Sequence, residues 1–109
     1  MTLELVEFPA DDLDRARRFW EGLLDVRLEE RGESEGQGLQ VHGTAPSLGV
    51  HRRGPGPGDR FSLPYFRVAD LANALDRVVE LGGSVIHPGD RRAVCRDSEG
   101  SPFGLAAAE

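Results

Sequence analysis

Apolar and polar positions along the chain fall into two halves that repeat one order of periods. Leu3–Phe8 alternates at the spacing of a strand, and Pro9 is expected to end it. Leu13, Ala16, Trp20 and Leu23 then recur at helical spacing, which predicts one buried stripe with Phe19 at its edge. Asp11 or Asp12 suits the N-cap, and Arg15, Arg17 and Arg18 fall on the wet side. Three short strand patterns follow, at Val26–Glu30, Leu39–His42 and Ser47–His51. The polar, glycine-rich run Arg31–Gly38 and a turn at Gly43–Pro46 separate them.

The second half restates that order. Leu63–Val68 reads as a strand, and Asp70 caps a helix with Leu71, Ala74, Leu75 and Val78 on its inner face and Leu81 near its end. Gly82 is placed to stop that helix in the left-handed conformation. Ser84–His87, Ala93–Arg96 and Pro102–Ala106 are the closing strands. A shift of 58 lays Phe8 on Phe66, Asp12 on Asp70, Ala16 on Ala74 and Leu23 on Leu81. A shift of 55 lays Ser47–His51 on Pro102–Ala106, with Gly49 on Gly104. The chain is one supersecondary unit written twice. The run RRGPGPGD separates the copies, giving a module over 1–52, a linker over 53–60 and a module over 61–109 within one domain.

The order βαβββ twice, the segment FRVADLANALDRVVELGG and the ending RDSEGSPFGL resemble the vicinal oxygen chelate superfamily. That group holds glyoxalase I, bleomycin- and fosfomycin-resistance proteins and extradiol dioxygenases. The resemblance covers nearly the whole chain. It implies an α+β fold in which two βαβββ modules form a curved mixed sheet, a cup with helices on its convex face. It also implies a divalent metal held by His, Gln or Glu from the first and last strand of each module. The matching positions here are Leu5, Gly49, Leu63 and Gly104. Leucine offers no donor atom and glycine no side chain, so the usual metal site is expected to be lost.

Period-two alternation sorts the strand residues by face. Val6, Phe8, Leu48, Val50, Pro64, Phe66, Val68, Phe103 and Leu105 form an apolar set suited to lie under helices. The other set looks into the cup and carries Leu3, Glu7, His51, Tyr65 and Arg67 beside the leucines and glycines. Glu7, His51, Tyr65 and Arg67 are therefore the candidate ligand-binding groups. Arg67 suits a carboxylate or phosphate, and Glu7 with His51 suits proton exchange. The plainer alternative is a rim ion pair between Glu7 and Arg67. Cys95 reads as a small buried hydrophobe.

Charge narrows the partners. The net charge of −6 gives no footprint for nucleic acid. All 13 basic residues are arginine, which reads as the mark of a GC-rich genome. The lone Cys95 forbids an internal disulfide and fits a reducing compartment, and no segment reads as a leader or membrane span, so a cytoplasmic protein is expected. The expected function is binding of a small organic molecule without metal or other cofactor. The alternative is an enzyme, lyase- or dioxygenase-like, with a non-standard metal site or acid–base groups alone. A homodimer is expected from the resemblance.

Overall fold

The computed structural model describes residues 2–32, 38–41, 46–56 and 59–108. The first half runs β1 (Thr2–Ala10), α1 (Leu13–Leu24), β2 (Glu29–Glu30), β3 (Leu39–Gln40) and β4 (Ser47–Arg52). The second runs β5 (Leu63–Val68), α2 (Leu71–Glu80), β6 (Ser84–His87), β7 (Arg92–Arg96) and β8 (Pro102–Ala107). These strands form one curved sheet in the order β2-β3-β4-β1-β5-β8-β7-β6. At its centre β1 and β5, the first strands of the two halves, pair antiparallel. Each is flanked by the last strand of its own half in parallel, β4 on β1 and β8 on β5.

The helices cover the convex face through the apolar set. Asp12 caps α1 by accepting from the Arg15 amide at 3.0 Å, and Asp70 caps α2 by accepting from the Asn73 amide at 3.1 Å. Gly82, at φ 97°, turns the chain out of α2 where a side chain would be strained. Under α1 lie Ala10, Leu28, Leu39, Val41 and Val50, and the Trp20 ring stacks on Phe8 at 4.7 Å. Under α2 lie Val68, Leu71, Ala93, Cys95 and Leu105. Burial alone pushes the Cys95 thiol upward, as for an inert core cysteine.

Several local expectations are corrected. β1 runs through Pro9 to Ala10. Beyond Glu7 the strand has left β5, and Ala10 turns its carbonyl to Arg53 on the β4 side, so the missing Pro9 N–H faces an open edge. Val26–Leu28 is not strand. The Leu28 amide donates to Glu21 at 2.8 Å and its carbonyl accepts from Arg17 at 2.9 Å, so helix side chains satisfy that backbone. Arg17 is thus partly buried, not on the wet side. Leu23 and Leu81 leave the buried stripes and stand 63% and 67% exposed. The expected strand at Leu39–His42 keeps Leu39–Gln40, and His42 lies outside the described residues, as does most of the Gly43–Pro46 turn. A register shift between Leu3 and Leu5 inserts Glu4 and takes Leu3 out of the alternating inward set. No described helix is long and apolar enough to cross a membrane.

Candidate functional site

Two rows of residues cross the floor of the cup. Gln40, Gly49, Glu7 and Leu63 stand side by side on β3, β4, β1 and β5. Leu5, Tyr65, Gly104 and Val94 do the same on β1, β5, β8 and β7. The rows are related by the internal repeat, so Glu7 in one half corresponds to Tyr65 in the other. Leu5 and Leu63 are both 1% exposed and close the centre of the floor.

Glu7 is the hub of the first half. Its carboxylate accepts from the Arg31 guanidinium through Oε1, and its Oε2 lies 2.6 Å from His51 Nδ1. Both members of the Arg31–Glu7 pair have side chains only 4% exposed. Arg31 Nε also donates to Gln40 Oε1 at 3.0 Å, which places a second buried polar group in the network. A charge pair removed from water this completely depends on its internal hydrogen bonds. The His51 ring has an oxygen acceptor beside each nitrogen, Glu7 Oε2 at Nδ1 and the Asp59 carbonyl 3.3 Å from Nε2. Burial, reinforced by the Arg31 charge, pushes the imidazole below its ordinary pKa, against the opposing Asp59 carbonyl and carboxylate.

Gly49 makes this arrangement possible. A Cβ there would strike Arg31 Nη2 and come within 2.7 Å of Glu7 Oε1. Gly104 serves the second half in the same way, because a Cβ there would fall in the Tyr65 ring. The two glycines therefore admit a guanidinium and a phenol ring respectively. Arg92, projecting from β7, lies over that ring at 5.5 Å from its centroid. Burial raises the Tyr65 hydroxyl pKa, opposed by Arg92 and Arg31, while Asp59 adds to the rise. Arg31 thus bears electrostatically on both His51 and Tyr65.

Of the four candidate groups, Glu7 and His51 are in direct contact and Tyr65 shares their floor. Arg67 stands at the rim, its side chain 50% exposed. The expected Glu7–Arg67 pair is not formed. The Glu4 carboxylate, brought alongside by the register shift in β1, lies 4.0 Å from Arg67, and Glu7 is taken by Arg31 and His51. Arg31, Gln40 and Arg92 escaped the pattern analysis. Arg31 opens a polar run that reads as a turn, and Arg92 precedes the expected strand by one residue. A signal for both was present in the two strand glycines, since glycine inside a strand marks close approach by another group. Among the described residues no three His, Cys, Asp or Glu side chains are grouped to hold a metal ion.

Two βαβββ units joined through their first strands into a cup define the vicinal oxygen chelate fold. Residues 5–106 match the glyoxalase-like domain model, and the chain belongs to that family. Methylmalonyl-CoA epimerase from Mycobacterium tuberculosis superposes with a TM-score of 0.72 at 17% identity, over 99% of this chain and 88% of that one. A variant of the Streptomyces coelicolor epimerase, in complex with 2-nitronate-propionyl-CoA, gives 0.73 at 14%, over 99% and 97%. A Legionella pneumophila structure described as an NAD-dependent benzaldehyde dehydrogenase gives 0.72 at 16%, over 96% and 98%. At these identities the likeness is one of fold. A comparison with curated proteins finds no match.

Proposed function

We propose that this protein binds a small organic molecule in its cup without the metal centre its superfamily commonly uses. The observation that carries the reading is what fills the four metal-ligand positions. Leu5 and Leu63 bury hydrocarbon there, and Gly49 and Gly104 yield their space to the Arg31 guanidinium and the Tyr65 ring. A fixed cation at the Gly49 position also opposes a divalent ion electrostatically. The donor set does not fit the metal. What remains is a sheet face with the polar groups Glu7, His51 and Tyr65 set around two buried leucines and Arg67 at the rim, and convergent polar groups of this kind are what a small-molecule site uses. The test is elemental analysis of protein produced in metal-supplemented medium and dialysed without chelator. Substoichiometric transition metal is expected, and about one equivalent per chain that survives dialysis overturns the reading.

A second reading, acid–base catalysis, is favoured by one contact, the 2.6 Å approach of Glu7 to His51 Nδ1. A carboxylate so placed orients the ring and favours its protonated form during proton exchange with a bound molecule. Turnover of a ligand by wild type but not by His51→Gln, with binding retained, separates this from simple sequestration.

We also propose that the protein is a homodimer acting in a reducing compartment. An apolar groove of about 880 Å³ runs along α2 between Phe66, Val78, Leu81 and Phe103, and reaches Pro64 at the module junction. Val6, the strand partner of Pro64, lines a smaller apolar groove of about 320 Å³ at the end of α1 with Phe8, Leu24 and Leu48. The two apolar grooves meet where Val6 pairs with Pro64, and a second copy of this chain is the occupant proposed for them.

A further inference from the structure

We infer that the ligand of this cup carries a carboxylate, held by the Arg92 guanidinium and the Tyr65 hydroxyl on the β5–β8–β7 side. The inference rests on the reading that the cup takes an organic ligand, and it supplies that ligand's chemical class.

The local geometry follows from the residues of β8. On its cup face that strand carries Gly104 and then Ala106, which stand opposite Tyr65 and Arg67 on β5 and opposite Val94 and Arg92 on β7. With so little side chain between them, the ring of Tyr65 lies across β8 at Gly104. Arg92 then reaches over the ring from the far side, to 5.5 Å from its centroid. A cation held over a ring face in this way uses none of its N–H donors.

Charge separates Arg92 from the other cationic groups of the cup. Arg31 is bound to Glu7 and Gln40, and Arg67 faces Glu4. Among the described residues no carboxylate lies within ion-pair distance of Arg92, and the Tyr65 hydroxyl makes no hydrogen bond to any of them. The remaining acid nearby, Asp59, accepts from the Gly56 amide at 2.9 Å. Arg92 therefore brings to the inner surface a positive charge that no ion pair among the described residues meets. One carboxylate matches that charge, since a guanidinium edge accepts it in bidentate fashion and a protonated phenol adds a third donor. Burial keeps the Tyr65 hydroxyl protonated, as that donation requires.

The test uses matched fragments, 2-naphthoate and benzoate against 2-naphthamide and benzamide, titrated into isotope-labelled full-length protein and followed by amide chemical shifts. The carboxylates are expected to shift Tyr65, Gly104 and their strand neighbours and to bind at least about tenfold more tightly than the amides, the scale of a charge-assisted hydrogen bond. Arg92→Gln and Tyr65→Phe, the latter keeping the ring across Gly104, should each erase most of that preference by weakening the acids more than the amides. An unfolded Arg92→Gln variant leaves Tyr65→Phe and the acid–amide ratio in wild type to decide. Equal binding of acid and amide in the cup overturns the carboxylate assignment and spares the cup. Absence of any shift in the cup from all four fragments overturns the cup reading and this inference with it.

Discussion

Replacing Gly49 by alanine adds one methyl group at the most constrained point of the site. The new Cβ would overlap Arg31 Nη2 and stand 2.7 Å from Glu7 Oε1 and 3.1 Å from Glu7 Cδ. Neither side chain has free space to enter, because both are 4% exposed. If the pair survives by distorting, the penalty is that of an overpacked core, about 1–3 kcal/mol. If it separates, a buried charge is left uncompensated at about 3–5 kcal/mol. An intermediate loss of about 2–4 kcal/mol is expected. With a urea m-value of about 2 kcal/mol/M, the midpoint should fall by roughly 1–2 M. The single tryptophan, Trp20 stacked on Phe8 in the core under α1, reports unfolding by fluorescence. Gly22→Ala is the matched control. Its Cβ would meet nothing within 4 Å and it lies within α1, so the same chemical change should stabilise by about 0.4–1 kcal/mol. In an Arg31→Gln background most of the Gly49→Ala penalty should vanish, a coupling of at least about 1 kcal/mol. A Gly49→Ala midpoint within about 0.3 M of wild type, or a penalty unchanged by Arg31→Gln, would show that Arg31 is not seated over Gly49 and would refute the reasoning.

Three further outcomes are expected. His51, held by burial below its ordinary value of 6.5, is neutral in the folded chain where the unfolded chain binds a proton, so stability should fall as pH drops below about 6.5. His51→Gln should flatten that slope between about pH 7 and about 5.5, and an unaltered slope assigns the effect elsewhere. Gly104→Ala should displace the Tyr65 ring, lower stability by about 1–3 kcal/mol and abolish any acid-over-amide preference of the cup, and a variant indistinguishable from wild type in both contradicts the ring's placement. Light scattering should give twice 11.9 kDa, and Leu81→Asp, changing a residue 67% exposed, should yield a folded monomer. A wild-type monomer at every concentration removes the dimer.

The fold was legible because it rests on periodicity, and periodicity is local. The Asp70 cap, the stop at Gly82 and the apolar convex face follow from spacing alone. On β4 that face is Leu48 and Val50, and on β8 it is Phe103 and Leu105. The four positions Leu5, Gly49, Leu63 and Gly104 are implied by the resemblance, and the two offsets agree with that assignment. What the pattern does not encode is the side chain that crosses from one strand to another. Arg31 acts on Glu7 across β3 and β4, and Arg92 acts on Tyr65 across β8. Such reach depends on small residues in the intervening strands and leaves no periodic trace along either partner. Arg67 shows the converse, because alternation gives its face while an inserted residue in β1 decides its neighbour, Glu4.

The central claim is that the cup binds an organic molecule and needs no metal to do so. The most direct measurement is a titration of the full-length protein with 2-naphthoate, followed by amide shifts at Tyr65 and Gly104, in chelator and again with excess Zn²⁺, Mn²⁺, Ni²⁺ or Fe²⁺. The account predicts the same shifts and the same affinity in every buffer. Binding that disappears in chelator and returns with one of the metals would contradict it.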